Sequence, residues 1–489
     1  MPFDRVFKSS TGISAAVSAA LSAGELRKIG HRIYTTDLQQ PLAELVREYC
    51  WDIAGLVAPG SVIGYRTAIE MKPTDAGVVH LVGPSKKAID LHGLIIAVHK
   101  GPGPLPGDTE FLRLYKGSLA RGLLESLKPS RHRSKVGLKS LSREAIESKL
   151  EQVLRLRGEK ILNGIRDQAR SIATQLGAED RFAELDDIIG ALQGTREASL
   201  EAPVARARRE GKAYDPERLA LFAEFHATLD TWEPVSRPDP VGSATAFANV
   251  AFFDAYFSNW IEGTEFEVDE AREIVFEALV SDRPEDAHDV LGTYGIVSDR
   301  ERMSLSMADP QITWFKFKEQ LLGDHGILMG ARPDMQPGQF KDVPNRAGQT
   351  VFVAPELVEG TLRKGLDLLG TLDGGFRRAA FQMFLLSEVH PFRDGNGRAA
   401  RIFMNAELVA DGQKRIIVPT VYREDYLLNL KAASNGHGFG GFLRMLDRAQ
   451  ELVDRISFVD FETAWAQLDE ANAFAAASES RLVLPPKRG

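Results

Sequence analysis

His390-Pro391-Phe392-Arg393-Asp394-Gly395-Asn396-Gly397-Arg398-Ala399-Ala400-Arg401 gathers an imidazole, a carboxylate, a glycine turn and a pair of arginines one helical turn apart. Phe376, Ala380, Phe381, Phe384 and Leu385 upstream, and Ile402, Phe403, Ala406 and Val409 downstream, recur at helical spacing, so the polar string is the bend between two helices. Gly395 and Gly397 permit a tight turn and close approach to the backbone. A helix beginning near Asn396 would present unpaired N–H groups and a partial positive charge, which suit phosphate oxygens. Arg398 and Arg401 point the same way and add charge-assisted contacts. Asp394 is out of place beside phosphates unless a cation joins it, and magnesium is the usual one. His390 has an ordinary pKa close enough to working pH to take a proton from a hydroxyl.

The string resembles the signature of Fic-domain proteins, His-x-Phe-x-Asp/Glu-Gly-Asn-Gly-Arg-x-x-Arg, at every specified position. The resemblance implies a mostly α-helical Fic domain with a small β-hairpin flap. It also implies a protein adenylyltransferase, which moves AMP from ATP to a Ser, Thr or Tyr hydroxyl of a target protein and releases pyrophosphate. In that reading His390 is the general base, Asp394 holds Mg2+, and Gly395, Asn396 and Gly397 cradle the phosphates. Arg398 and Arg401 take the outer phosphates, and Phe392 packs to hold the bend. The same loop would also serve a transferase using another nucleotide, or one removing AMP. Self-modification and homo-oligomers are compatible with the family as well.

Further upstream, Ser258-Asn259-Trp260-Ile261-Glu262-Gly263 ends an apolar-periodic segment through Phe252, Phe253, Tyr256 and Phe257, which puts Ser258 and Glu262 on one helix face. It resembles the inhibitory motif Ser/Thr-x-x-x-Glu-Gly/Asn of autoinhibited Fic proteins. The expectation is that the Glu262 carboxylate pairs with Arg398 and keeps ATP from a productive pose. The alternative makes Glu262 a solvated last-turn residue and Gly263 an ordinary helix stop. Residues 351–355, after the polar loop 345–350, read as a hairpin similar to the Fic flap, at about 338–355, where a target segment docks by strand addition. Tyr422 and Tyr426 open another helix, either to stack on adenine or, as helical spacing more often means, to pack in the core, and 461–485 resembles the C-terminal helix of longer Fic proteins.

The remaining sequence suggests a multidomain chain. Its parts are an α+β regulatory domain at 1–125, a helical connector at 126–240 and the Fic domain at 241–489, with the inhibitory helix at 243–263. Ile13 to Leu26 reads as a helix, Arg27 to Thr35 as a basic hairpin, and 78–82 and 94–99 as strands. This order is partly winged-helix-like, and with the stretch 58–68 it resembles the regulatory antitoxins of abortive-infection toxin-antitoxin pairs. Within 111–140, Arg113, Lys116, Arg121, Lys128, Arg131, Arg133, Lys135 and Lys139 face one acid, Glu125. Such a stretch either neutralises DNA phosphates or is a solvated linker. A reading from another class therefore makes the chain a DNA-binding, antitoxin-like regulator with a sensory Fic domain. With 489 residues, 44% of them hydrophobic, there is material for two or three cores. The single cysteine, Cys50, excludes an internal disulfide and suits a reducing cytoplasm. No apolar run reaches the length of a membrane span, and the start lacks a signal-sequence pattern, so a soluble cytoplasmic protein without membrane contact is expected.

Overall fold

The computed structural model describes residues 3–130, 137–239, 242–348 and 350–486. It divides into two units, Met1–Gly211 and Lys212–Gly489. Among the described residues no helix is long and apolar enough to cross a membrane.

The first unit is α+β. Strands β1 (Val6–Lys8), β2 (Arg27–Gly30) and β3 (Ile33–Thr35) form an antiparallel sheet in the order β1-β3-β2. The expected basic hairpin is therefore β2 and β3. The helix before it is shorter than expected, Ser14–Ser22, and Gly24 follows with a φ of 76°. A second sheet holds β4 (Val62–Ile63), β5 (Val78–Gly83), β6 (Lys87–Leu91), β7 (Leu94–Lys100), β8 (Thr109–Phe111) and β9 (Leu114–Lys116), in the order β6-β7-β5-β4-β9-β8. β5 is buried along its whole length and pairs in parallel with β7, which is why its sequence is apolar but for His80. Leu45, Ile53, Val79, Leu81, Ile96 and Val98 form the core beneath. The helical stretch after it runs from Arg143 to Leu176, kinked at Gly158, where φ is 78°, and continues as Glu179–Leu192.

The basic stretch differs from its expected form. Arg121 is fully buried, donating to Asp108 at 2.7 Å and to Glu125 at 3.0 Å, so it holds the interior together and is not presented to phosphates. Arg131, Arg133 and Lys135 lie outside the described residues.

The second unit is helical, with one small hairpin. Its centre is the antiparallel pair Gly375–Val389 and Asn396–Ala410, whose connection is the polar string. The first of these helices is buried almost all round, as its apolar residues demand. Phe381 and Phe384 pack on Phe222 and Phe225 of the Pro216–Thr231 helix, with Phe225 and Phe384 centroids 4.8 Å apart. The helix Ala244–Ile261 lies in a second aromatic layer with Phe458, Phe461 and Phe474. β10 (Arg346–Ala347) and β11 (Thr350–Val351) form a small hairpin within the expected flap, but its strands lie in the stretch 345–350 read as a polar loop, and of 351–355 only Val351 is in a strand; Gln349 lies outside the described residues.

Phe384 is central to the larger core, so Phe384→Ala should destabilise the second unit by about 3–5 kcal/mol. Urea unfolding followed by circular dichroism measures this, and a change below about 1 kcal/mol would contradict the packing described.

Candidate active site

The Gly375–Val389 helix ends at His390, whose backbone is left-handed at φ 51° and ψ 61°. This conformation costs a non-glycine residue roughly 1–2 kcal/mol, and such strain gathers at functional sites. His390 Nδ1 lies 3.3 Å from the Ser387 carbonyl. With the proton on Nδ1 donated to that oxygen, Nε2 keeps its lone pair as an acceptor. The imidazole stacks on Phe352 of the hairpin, centroids 3.8 Å apart and planes within 5°. Burial lowers its pKa to about 4, Lys341 adds to this, and the Ser387 carbonyl, Glu262 and Asp394 oppose it. The ring is therefore neutral at pH 7.

The loop after His390 is tied internally. Asn396 Oδ1 accepts from the Phe392 N–H at 2.8 Å, and Asn396 Nδ2 donates to the Phe392 carbonyl at 3.0 Å. Both polar ends of this side chain hold the bend, and only the main-chain N–H of Asn396 is left for an anion. Phe392 is fully buried and stacks on His325 at 3.6 Å. His325 Nδ1 accepts from the Gly338 N–H and Nε2 donates to the Asp394 carbonyl, both at 3.0 Å. Burial lowers its pKa to about 4 as well. The Asp394 side chain is exposed and accepts from the Gly395 N–H at 2.7 Å. Gly395 has a φ of 75°, and Met329 Sδ sits where its side chain would begin.

At the first turn of the Asn396–Ala410 helix, Glu262 Oε1 lies against Gly397, where an added Cβ would collide with it. The same oxygen accepts from Arg401 Nη2 at 2.7 Å. Ser258 completes the clamp, its Oγ accepting from Arg401 Nε at 2.9 Å and its carbonyl from Nη2 at 2.8 Å. Desolvation pushes the Glu262 carboxyl up, but Arg401, Arg398 and His390 outweigh it and the net shift is downward. The side chain as a whole keeps 34% of its surface open. The expected partner, Arg398, is instead held by Asp289 Oδ1 at 3.0 Å, with Asn259 Oδ1 at 3.4 Å and Met329 Sδ at 3.2 Å. The end of the Ala244–Ile261 helix reaches both arginines, Asn259 meeting Arg398 and Ser258 with Glu262 meeting Arg401, and Asp289 of the Pro284–Val297 helix supplies the carboxylate for Arg398. Gly263 follows that last turn with a φ of 93°, a conformation suited to glycine.

The site thus brings together His390, Phe392, Asp394 to Arg398, Arg401, Ser258 and Glu262. Tyr426 lies in the core beside Arg401, its ring centroid 6.0 Å from the guanidinium carbon. Sequence reasoning missed Asp289, His325, Met329 and Lys341. The Lys341 N–H donates to the Pro391 carbonyl at 2.9 Å, and its Nζ donates to Asn345 Oδ1 at 2.7 Å and to the Val389 carbonyl at 3.3 Å. Burial lowers Lys341 to about 7. Asn345 Nδ2 donates to the Phe392 carbonyl at 2.8 Å, so the root of the hairpin is bound to the bend after His390.

Residues 314–408 match the family model described as Fic/DOC family. The protein adenylyltransferase fic-1 of Caenorhabditis elegans is 31% identical over 123 residues, which is 24% of each chain. The protein adenylyltransferase Fic of Nematostella vectensis is 29% identical over 137 residues, 27% of this chain and 32% of that one. The chain therefore spans between a quarter and a third of the length of these curated relatives. A solved fragment of C. elegans Fic-1 has a TM-score of 0.36 and 19% identity, covering 63% of this chain and 94% of the fragment.

Because His390 and His325 are depressed below the ordinary 6.5, the unfolded chain binds protons between 6.5 and about 4 that the folded chain refuses. Their contribution to stability is complete above 6.5 and is lost as pH falls through that window. Carbon-13 NMR of labelled imidazoles, assigned by His390→Gln, should find His390 neutral at pH 5.5. A midpoint at or above 6.5 would contradict the burial described.

Proposed function

We propose that this chain is an autoinhibited protein adenylyltransferase that transfers AMP from ATP to a Ser, Thr or Tyr hydroxyl of a target protein. The observation that carries the reading is a neutral, backbone-strained His390 beside a helix N-terminus whose Arg398 Nε is buried without a hydrogen-bond partner among the described residues. An unmet guanidinium donor beside main-chain N–H groups is a demand for an anion.

His390 Nε2 takes the proton of the target hydroxyl as its oxygen attacks the α-phosphorus of ATP. A new P–O bond forms, the bond to the bridging oxygen breaks, and pyrophosphate leaves. The N–H groups of the turn from Gly395 to Gly397, with Arg398 and Arg401, take the phosphate oxygens. Asp394 fits a magnesium ion, since its carboxylate is exposed beside the cradle and magnesium needs only one or two carboxylates with substrate phosphates. When bound, the metal would neutralise phosphate charge. The Val351 edge of the hairpin is exposed, and it supports docking of an extended target segment by strand addition. Glu262 holds the enzyme off, because its carboxylate lies where a phosphate oxygen of ATP must lie and ties up Arg401.

The test is intact-mass spectrometry of Glu262→Gly incubated with magnesium and ATP, GTP, UTP or CTP in turn, alone and with a host extract. The expected result is an adduct of one AMP on a polypeptide, at least about tenfold more than with the parent chain. His390→Ala in the same background should cut it by about 10²–10⁴. An adduct from another donor would replace AMP with that group. No adduct from any donor, or one indifferent to His390, would overturn the proposal.

A further inference from the structure

Arg398 and Arg401 are each held by an acid, but in different ways. Glu262 lies on Gly397, inside the space meant for phosphate, and takes Arg401 Nη2. Asp289 stands behind Arg398. It takes only the Nη1 corner, and with Nη2 on Met329 Sδ it leaves the Nε N–H without a partner among the described residues. Asp289 and Arg398 are almost wholly buried, at 2% and 3% exposure.

Asp289 is itself fixed. Its Oδ1 faces Arg398, while Arg332 Nη2 donates to its Oδ2 at 2.9 Å and Arg332 Nε reaches both oxygens at 3.2–3.3 Å. Thr264 Oγ1 adds a longer contact at 3.4 Å. Arg332 is in turn anchored by Asp286 at 2.8 Å and Glu285 at 3.3 Å. A carboxylate clamped from outside by one guanidinium cannot swing to follow another, so it sets where Arg398 points.

We infer that Asp289 is a positioning residue for the nucleotide: it aims the Nε edge of Arg398 at a phosphate and, unlike Glu262, does not compete for the phosphate site. The inference rests on the proposed nucleotide chemistry and deepens it. It assigns the acids opposite effects, since losing Glu262 should strengthen productive ATP binding and losing Asp289 should weaken it.

The experiment measures ATP affinity by calorimetry, with magnesium, on the full chain carrying Glu262→Gly. Adding Asp289→Asn should raise Kd about tenfold, the worth of one charge-assisted contact. The KM for ATP should rise in parallel, with kcat within about threefold, because the reacting atoms are untouched. Adding Asp289→Asn to Arg398→Ala should change Kd little further, whereas a general structural role would give additive losses. Should Asp289→Asn not fold, Arg332→Gln loosens the same carboxylate from outside and should raise Kd in the same direction. An unchanged or lower Kd in these variants would overturn the inference, a lower one making Asp289 a second brake. If the Glu262→Gly parent binds ATP but transfers nothing, the proposed activity fails while Kd still judges Asp289. If it does not bind ATP at all, both fail.

Discussion

A carboxylate resting against the first turn of a helix is the constraint around which this site is arranged. The first turn of the Asn396–Ala410 helix carries the positive end of its dipole, and the Glu262 carboxylate lies against Gly397 there. Its hold on Arg401 is reinforced by Ser258 on the same helix face, so acid and hydroxyl bind one guanidinium together. On the proposed reading, the contact that stabilises the resting chain also blocks the anion site, and a ligand at least as anionic would have to displace it.

The rest of the loop is scaffolding that leaves His390 in place. Asn396 closes the bend through the Phe392 backbone, His325 stacks beneath Phe392 and bonds the Asp394 carbonyl, and Lys341 joins the hairpin root to Val389 and Pro391. Most of these contacts end on backbone atoms, which fixes the course of the bend. Burial then holds both imidazoles unprotonated at pH 7, His390 at the end of its helix and His325 packed against Phe392.

The catalytic loop was legible because all its chemistry lies in one run of residues. The flanking helices were legible because their apolar spacing has a single interpretation. What could not be read is what packing across elements decides. The Ser258 and Glu262 spacing gives a helix face but not the arginine it meets, so Arg398 was the expected partner and Arg401 is the observed one. Asp289 and His325 carry no local pattern, since their roles arise only where other helices deliver them. In the first unit, charge counting took Arg121 for a solvent-facing cation, but Asp108 and Glu125 enclose it. A tally of charges cannot see which are already paired.

The most direct test of the account is the pose of ATP in crystals of the parent chain and of Glu262→Gly, each soaked with a non-hydrolysable analogue and magnesium. The account predicts that only without the carboxylate do terminal phosphate oxygens sit on Gly397 and Arg401, with the α-phosphorus open to attack from the His390 side. The same productive pose in both crystals would contradict it.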